Sequence, residues 1–385
     1  MPRRFFARRV ALAAALLSLA PLSLITRDAA AQTATIVVSD SVSVRFGFLS
    51  QTWADFSQNV RQDSSVAQNI FQRRIRLMLG GQVGSHLTFF IQTDSPNLGR
   101  AGAGFTKSAS ALVVQDALLE IQPGSGHEIL LDAGLLYVPL CRSCSGNAAL
   151  ILPIDFSSYT SLQTPFTGVS AGRDVGIMAK GYLADGRFEY RAGMFSGARA
   201  SSTSLPPVSL ASNSFRVAGR LAVQLLDAEP ETYSYAGTYL GRKRVLSLGA
   251  GTDNQGDYHA YSADAFLSYP FGTDGMTASA TFIHYDGGTF ALTLPKQNTL
   301  EAEAGYHFTG AKVTPWVKVE GRRIDEALKN AANQDESRIQ VGGTYYITAH
   351  WLNLKAAYTR ASLAQFGAPS LTQHGATLQV QGFFF

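Results

Sequence analysis

Beyond residue 31, the sequence is dominated by segments of about ten residues in which apolar and polar side chains alternate. In the segment 41–48, for example, Val44 and Phe46 fall on one face and Arg45 falls on the other. Alternation with a period of two residues is the pattern of β-strands whose two faces meet different surroundings. No later stretch reaches the roughly 20 consecutive apolar residues that a membrane-spanning helix needs. The pattern predicts an all-β fold and excludes a bundle of membrane-spanning helices.

Sixteen segments of this kind can be delimited along the chain. Their ranges are 41–48, 71–79, 86–94, 112–122, 127–138, 173–183, 187–195, 214–224, 244–252, 258–269, 276–285, 299–308, 311–322, 337–347, 352–359 and 375–385. Helical spacing of apolar residues is scarce between them. We therefore expect about 16 strands.

The connections between these segments alternate in length. Tight turns follow even-numbered segments, at 84–85, 123–126, 184–186, 309–310 and 348–351. Long polar stretches follow odd-numbered segments, at 56–68, 95–111, 139–172, 196–213, 286–298, 323–336 and 360–374. Short turns on one rim, long loops on the other and an even strand count predict a transmembrane antiparallel β-barrel. Such a sheet closes on itself because backbone amides in hydrocarbon must all be bonded within the protein.

Two connections break this alternation. Residues 225–243 are long where a short turn is expected, and residues 253–257 are short where a long loop is expected. We interpret the mismatch as one misplaced strand boundary in this region.

The N-terminus has the organisation of a secretory signal peptide. Four arginines precede an apolar stretch at 10–24, and Ala29 and Ala31 form a small-residue cleavage site. We predict a signal peptide at 1–31 and a single barrel domain at 32–385. Removing the five arginines and one aspartate of residues 1–31 takes the formal net charge from +4 to zero. The mature chain thus lacks the basic character that would predict a nucleic-acid partner.

The C-terminus is an alternating strand that ends in aromatic residues. Val380 and Phe384 share a face that Phe385 does not share, which predicts a β-bulge near Gly382. A terminal aromatic residue after such a strand resembles the signal that the barrel-assembly machinery reads.

Three stretches resemble the phosphate-selective porin O and P family. They are the arginine-rich hairpin that begins at 71–81, the strand and proline at 134–140, and the pair of strands within 173–197. The resemblance implies a sixteen-stranded outer-membrane channel that is usually trimeric. It also implies that the third loop, at 139–172, folds inward and narrows the pore.

The alternation also predicts which side chains line the pore. In the segment 71–79, Phe71, Ile75 and Leu77 face away from Arg74 and Arg76. The two arginines are expected to face the wet interior. By the same reasoning, the predicted pore-lining bases are Arg45, Arg74, Arg76, Lys180, Arg187, Arg191, Arg216, Arg220, Lys318, Arg322, Arg338 and Lys355. They would favour anions if they were free. The same face carries nearly as many carboxylates, so the bases could instead form ion pairs that stiffen the wall.

Motifs for other chemistry are weak. Cys141 and Cys144 are the only cysteines and are expected to close a small disulfide in the third loop of an exported protein. The Gly-x-Ser-x-Gly match at 168–172 lacks the strand before it and the helix after it that a catalytic serine requires. We expect no catalytic residue, no metal site and no bound cofactor.

Together these features predict an outer-membrane porin through which small hydrophilic solutes, including anions such as phosphate, diffuse passively. The expected partners are outer-membrane lipids, the barrel-assembly machinery, small anionic solutes and two further copies of the chain in a homotrimer. An exported β-sandwich that serves in binding or adhesion is one alternative. A hydrolase built on an outer-membrane barrel is the other.

Overall fold

The computed structural model describes residues 34–61, 63–102, 106–109, 111–160, 162, 172–198, 214–229, 233–291 and 293–385. The predicted signal peptide and most of the Gly-x-Ser-x-Gly match at 168–172 lie outside the described residues. Within the described ranges, no α-helix has the length and apolar character needed to cross a membrane.

The described residues form seventeen strands, and short 3-10 turns occur at Ser143–Ser145 and Glu326–Leu328. The strands are β1 (Ala34–Ser39), β2 (Val42–Gln58), β3 (Val66–Val83), β4 (Leu87–Asp94), β5 (Val113–Ile121), β6 (Leu130–Tyr137), β7 (Arg173–Leu183), β8 (Phe188–Phe195), β9 (Arg216–Gln224), β10 (Val245–Gln255), β11 (Tyr258–Phe271), β12 (Asp274–Asp286), β13 (Gln297–His307), β14 (Val313–Ile324), β15 (Glu336–Thr348), β16 (Leu352–Gln365) and β17 (Ala368–Phe384).

Strands β2 to β17 form a closed antiparallel barrel. Each strand pairs with the next along the chain, and β17 pairs with β2 between Phe48 and Ser57. The predicted barrel of about 16 strands is confirmed, and the β-sandwich alternative is wrong because the sheet closes on itself. The short strand β1 is additional and pairs with β2 between Val42 and Phe46, just beyond the end of β17.

The two faces of the barrel wall have opposite character. Outward positions carry exposed apolar side chains, such as Leu77, Ile177 and Leu300, each at least half exposed. Inward positions carry buried polar and charged side chains, such as Asp116 and Lys318. This inversion of the soluble pattern is expected where the outer surface faces hydrocarbon and the interior holds water.

The two exceptions in the alternation of connection lengths are real. The connection 225–244, between β9 and β10, lies on the short-turn rim, where β3 also meets β4. The connection between β10 and β11 is a turn of two residues, Gly256 and Asp257, on the opposite, long-loop rim. The expectation of a misplaced boundary is therefore wrong. The connection 225–244 is long because it makes contacts inside the barrel, described below.

A second difference concerns the predicted loop at 360–374. Most of that range is strand, because β16 and β17 continue past the top of β2 and pair with each other as far as Gln365 and Ala368. Only Phe366 and Gly367 remain as the turn, and Gly367 has a φ of +68°, a conformation that glycine adopts at little cost.

A β-bulge corrects the predicted orientation of Phe71. Gln51 pairs with Arg74 and Thr52 pairs with Gln72, so Arg73 is an extra residue in β3. The extra residue reverses the alternation on its N-terminal side. Phe71 is consequently only 3% exposed and lies edge-on to Trp53, with ring centroids 5.9 Å apart.

The bulge predicted near Gly382 is wrong. The pairing of β17 with β2 runs without a shift through Gly382 to Phe384. Phe384 therefore faces outward and Phe385 faces inward. A Cβ atom on Gly47 would lie 2.5 Å from the Phe385 ring, so the absence of a side chain there makes room for the terminal ring.

Candidate functional site: the barrel interior

Most of the bases predicted to line the pore form ion pairs with carboxylates. Arg76 pairs with Asp94 at 3.0 Å, and Lys180 lies 2.5 Å from Glu120 and 3.0 Å from Asp132. The other paired members of the predicted set are Arg74, Arg191, Arg216, Arg220, Lys318, Arg322 and Arg338. This arrangement favours the alternative in which bases and acids neutralise each other and stiffen the wall. A role for these residues in a conducting path stays a prediction.

The three other predicted bases differ from this majority. Arg45 makes no ion pair within the described part of the chain, and its guanidinium lies 5.0 Å from the centroid of the Phe385 ring. Arg187 lies in the turn before β8, is exposed, and donates to the carbonyl of Leu226, so it belongs to the rim and not to the wall. Lys355 is buried and donates to backbone carbonyls, described next.

The chain after β6 contacts side chains on widely separated strands of the barrel. We call residues 138–160 the inner segment. Lys355 of β16 donates to the carbonyls of Ile151 at 2.8 Å and Pro153 at 2.7 Å. Gln51 of β2 donates to the carbonyl of Ala148 at 3.0 Å. Because inward side chains of several strands bond its backbone, the inner segment has partners for polar groups that would otherwise be buried without them.

Asp155 is a charged anchor of the inner segment. It accepts hydrogen bonds from Arg73 at 2.9 Å and Arg74 at 2.5 Å, and Lys318 donates to its carbonyl at 3.1 Å. Burial raises the pKa of the Asp155 carboxyl, but the charges of Arg73 and Arg74 outweigh burial and hold this pKa well below its usual range. Asp155 therefore stays ionised and keeps both arginines paired. The bulge at Arg73 is what lets consecutive arginines reach one carboxylate.

Cys141 and Cys144 form a disulfide with their Cα atoms 5.0 Å apart, and the small loop that it closes carries Arg142. The Arg142 guanidinium bonds both carboxylate oxygens of Glu229 and donates to the carbonyl of Ala236 at 2.9 Å. Burial disfavours the charge on Arg142, but Glu229 outweighs burial and the pKa of Arg142 is raised. Glu229 and Ala236 both lie in the connection 225–244, so Arg142 joins the inner segment to that connection.

The connection 225–244 enters the barrel from the short-turn rim and pairs with the inner segment. Three hydrogen bonds join the two backbones. The N–H groups of Asn147, Tyr235 and Gly237 donate to the carbonyls of Tyr235, Ser145 and Leu150, at 2.9, 3.0 and 3.1 Å respectively. We call the described residues of this connection, 225–229 and 233–244, the second segment. Two segments from opposite rims thus meet inside the barrel.

Three tyrosines of the second segment bond carboxylates. Tyr233 donates to Asp116, Tyr235 to Glu189 and Tyr239 to Glu229, each with an O–O distance of 2.6 Å. Sequence reasoning missed these residues. The available signal was a connection rich in aromatic residues at a place where a tight turn was expected.

An open space remains beside the two segments. It is a cavity of about 780 Å³ between β2–β7 and the edges of both segments. Its lining includes Arg45, Arg76, Phe90, Lys180, Tyr233 and Phe385. Among the described residues, no cluster of three His, Cys, Asp or Glu side chains could hold a metal ion.

Solved structures resemble this barrel, although no family model and no curated protein matches the sequence. The outer-membrane channel DcaP of Acinetobacter baumannii superposes with a TM-score of 0.59 at 11% identity, over 91% of this chain and 99% of that chain. OmpF of Salmonella typhi gives a TM-score of 0.56 at 14% identity, over 90% and 99%. OmpT of Vibrio cholerae, in its trimer form, gives 0.52 at 10% identity, over 90% and 100%. The chain therefore has the fold of these outer-membrane proteins.

Proposed function

We propose that this protein is a porin of the Gram-negative outer membrane, with no enzymatic activity, through which small hydrophilic solutes diffuse passively. The observation that carries the proposal is a closed sixteen-stranded barrel with an apolar outer face and a charged inner face around a cavity of about 780 Å³. A soluble protein would not place large apolar side chains outside and ion pairs inside. The similarity in fold to the outer-membrane channel DcaP supports the same proposal.

We propose that the inner segment, which contains most of the described residues of the third loop, narrows the passage. Its hydrogen bonds to Gln51 and Lys355 support this role, since these side chains belong to strands far from β6 in sequence. The second segment would narrow the passage further, because it bonds the inner segment directly.

We propose a weak anion preference for the channel. Among the predicted pore bases, Arg45, Arg187 and Lys355 have no carboxylate ion pair in the described part of the chain. Arg187 lies on the rim and Lys355 is occupied by backbone carbonyls, which leaves Arg45. High selectivity for phosphate needs several free donors that replace its water shell. The phosphate-selective O and P family therefore remains a resemblance in sequence, and phosphate is proposed as one of several permeating anions.

The proposed partners follow from the same fold. Outer-membrane lipids would contact the apolar outer face, and the barrel-assembly machinery would act on the C-terminal strand. A homotrimer is proposed because the sequence resembles a usually trimeric family, and the similar OmpT barrel is described in a trimer form.

The decisive experiment is single-channel recording of refolded residues 32–385 in planar bilayers with potassium chloride. We expect discrete conductance steps that occur in threes and, across a salt gradient, a reversal potential of the sign for weak anion preference. Phosphate should permeate without blocking the current at low concentration. A folded protein that never produces steps would contradict the proposed function.

Replacing Arg74 and Arg76 together with serine is expected to shift selectivity toward cations. The double substitution leaves Asp155 without one of its two arginines and Asp94 without its partner, so negative potential in the interior rises. Reversal potentials across a salt gradient measure the shift. The matched control removes two exposed charges from the outer surface, Arg323→Ser with Arg360→Ser, and should leave the reversal potential unchanged. Equal reversal potentials for both double variants would contradict a role of the paired arginines.

A further inference from the structure

Part of the lining of the 780 Å³ cavity is apolar, although the cavity lies against the inner face of the barrel wall. This apolar lining includes Met78, Phe90, Leu118, Leu150, Phe383 and Phe385. Met78 and Leu118 are buried, whereas the other four keep part of their surface open. A cavity whose lining carries both exposed apolar groups and polar groups is suited to an amphipathic solute.

Contact with the inner segment accounts for only part of this apolar surface. Leu49 and Met78 form a buried cluster with Ala148 and Ala149, and this cluster fixes the inner segment to the wall. Phe90 and Phe385 lie at the edge of that cluster, edge-on to each other with centroids 5.5 Å apart. Their rings remain half-buried at the cavity surface, which leaves aromatic faces and edges that a flat ring could stack against.

Among the described residues, the arginine, lysine and aspartate side chains considered around the cavity are paired, apart from Arg45. Arg76 pairs with Asp94, Lys180 pairs with Glu120 and Asp132, and Asp116 pairs with Arg173. Arg45 is the base that has no carboxylate partner in the described part of the chain, and it lies over the Phe385 ring. One free positive charge therefore stands beside an aromatic surface.

We propose that this cavity is a binding site for aromatic monocarboxylates, with the carboxylate on Arg45 and the ring against Phe90 and Phe385. An arginine fork matches the two oxygens of one carboxylate, and ring contacts supply the apolar part of the affinity. Inorganic phosphate gains nothing from the apolar part of the lining and would lose water there without replacement donors. A cavity of about 780 Å³ is within the usual size range for small-molecule sites.

The inference rests on the proposed channel function for its physiological meaning, but binding can be tested without conduction. The probe is 4-fluorobenzoate, titrated into the refolded protein in detergent and followed by 19F NMR. We expect the 19F signal of 4-fluorobenzoate to broaden in a saturable way as the probe binds. Added benzoate should displace the probe and reverse the broadening, whereas acetate should not. In planar bilayers, benzoate should reduce potassium chloride conductance at concentrations where acetate and phosphate do not.

Two variants report on the two halves of the site. Arg45→Gln should weaken 4-fluorobenzoate binding about tenfold, which is the effect of losing a charge-assisted hydrogen-bond pair. Phe90→Leu keeps an apolar side chain but removes the ring, and should weaken the binding of both 4-fluorobenzoate and benzoate. Lys312→Gln is the matched control, because it removes an exposed charge from the same short-turn rim and should leave binding unchanged.

Several results would overturn the proposal. They are absence of saturable 4-fluorobenzoate binding, equal displacement by acetate or phosphate, or unchanged binding in both Arg45→Gln and Phe90→Leu. A protein that conducts no ions but binds 4-fluorobenzoate through Arg45 would refute the channel function and leave the binding site in place. A protein that conducts ions but does not bind 4-fluorobenzoate would refute the binding site and leave the channel function in place.

Discussion

Replacing Arg142 with methionine is expected to separate the two segments inside the barrel and to raise single-channel conductance. Arg142 is buried and bonds Glu229 and the carbonyl of Ala236, while its guanidinium stacks 3.7 Å from the centroid of the Phe266 ring. Removing one member of a buried ion pair costs about 3–5 kcal/mol, because the remaining charge is left without compensation. The equilibrium between joined and separated segments should therefore shift by roughly 100-fold or more.

The measurement is open-channel conductance and current noise of the variant against the parent protein. The matched control is Arg244→Met, which breaks an exposed Arg–Asp pair with Asp227 in the same second segment. Exposed pairs contribute about 0–1 kcal/mol, so this control should conduct like the parent. Identical conductance in the Arg142 and Arg244 variants would show that the contact between the segments does not limit the current.

Replacing Asp155 with asparagine is expected to release the inner segment from β3 and to destabilise the folded barrel. The substitution leaves Arg73 and Arg74 without their shared carboxylate, and Arg74 is almost fully buried. The expected cost is about 3 kcal/mol or more. Conductance should rise, and the temperature at which the barrel unfolds in detergent should fall.

The pH dependence of the parent protein provides an independent check on Asp155. The pKa of Asp155 in the folded protein lies well below the usual aspartate value of about 4. The stabilisation of the folded barrel by ionised Asp155 is therefore fully present above about pH 4. The contribution is lost as the pH falls from about 4 toward the folded-state pKa. We therefore expect a steady Asp155 contribution between pH 7 and 5, and a loss of stability below pH 4 that is smaller in Asp155→Asn.

The control for this second prediction is Glu326→Gln. Glu326 is exposed and bonds Lys329 in the loop 325–335, away from the barrel interior. The Glu326→Gln substitution should leave both the conductance and the unfolding temperature unchanged. An Asp155→Asn variant that unfolds at the parent temperature, with unchanged conductance, would refute the anchoring role.

Much of the wall could be predicted from the sequence. The positions of the strands and the inward direction of bases such as Lys180 and Lys318 follow from the alternation of apolar and polar residues. This works because successive side chains of a strand point to opposite faces of the sheet. Alternation fails to predict the orientation of a side chain where one extra residue shifts the pattern. The extra residue Arg73 leaves no mark on composition, yet it turns Phe71 inward.

The charges of the interior show the same limit. The sequence indicates that bases and acids share the inner face in nearly equal numbers, and it leaves both pairing and free bases open, with pairing the favoured interpretation. Which base meets which acid depends on register across strands and on the inner segment. Asp155, for example, is about 80 residues from Arg73 and Arg74.

By itself, the sequence predicted an all-β protein with about 16 strands that must close into a barrel. The reason is local, since alternation of apolar and polar residues needs no knowledge of distant contacts. Only the tertiary structure decided what occupies the interior. The second segment is read from sequence as an irregular turn, and its place beside the inner segment depends on contacts such as Arg142 with Glu229, 87 residues apart. The lack of an ion pair at Arg45 within the described part of the chain was likewise decided there, because pairing depends on which carboxylates the fold brings within reach.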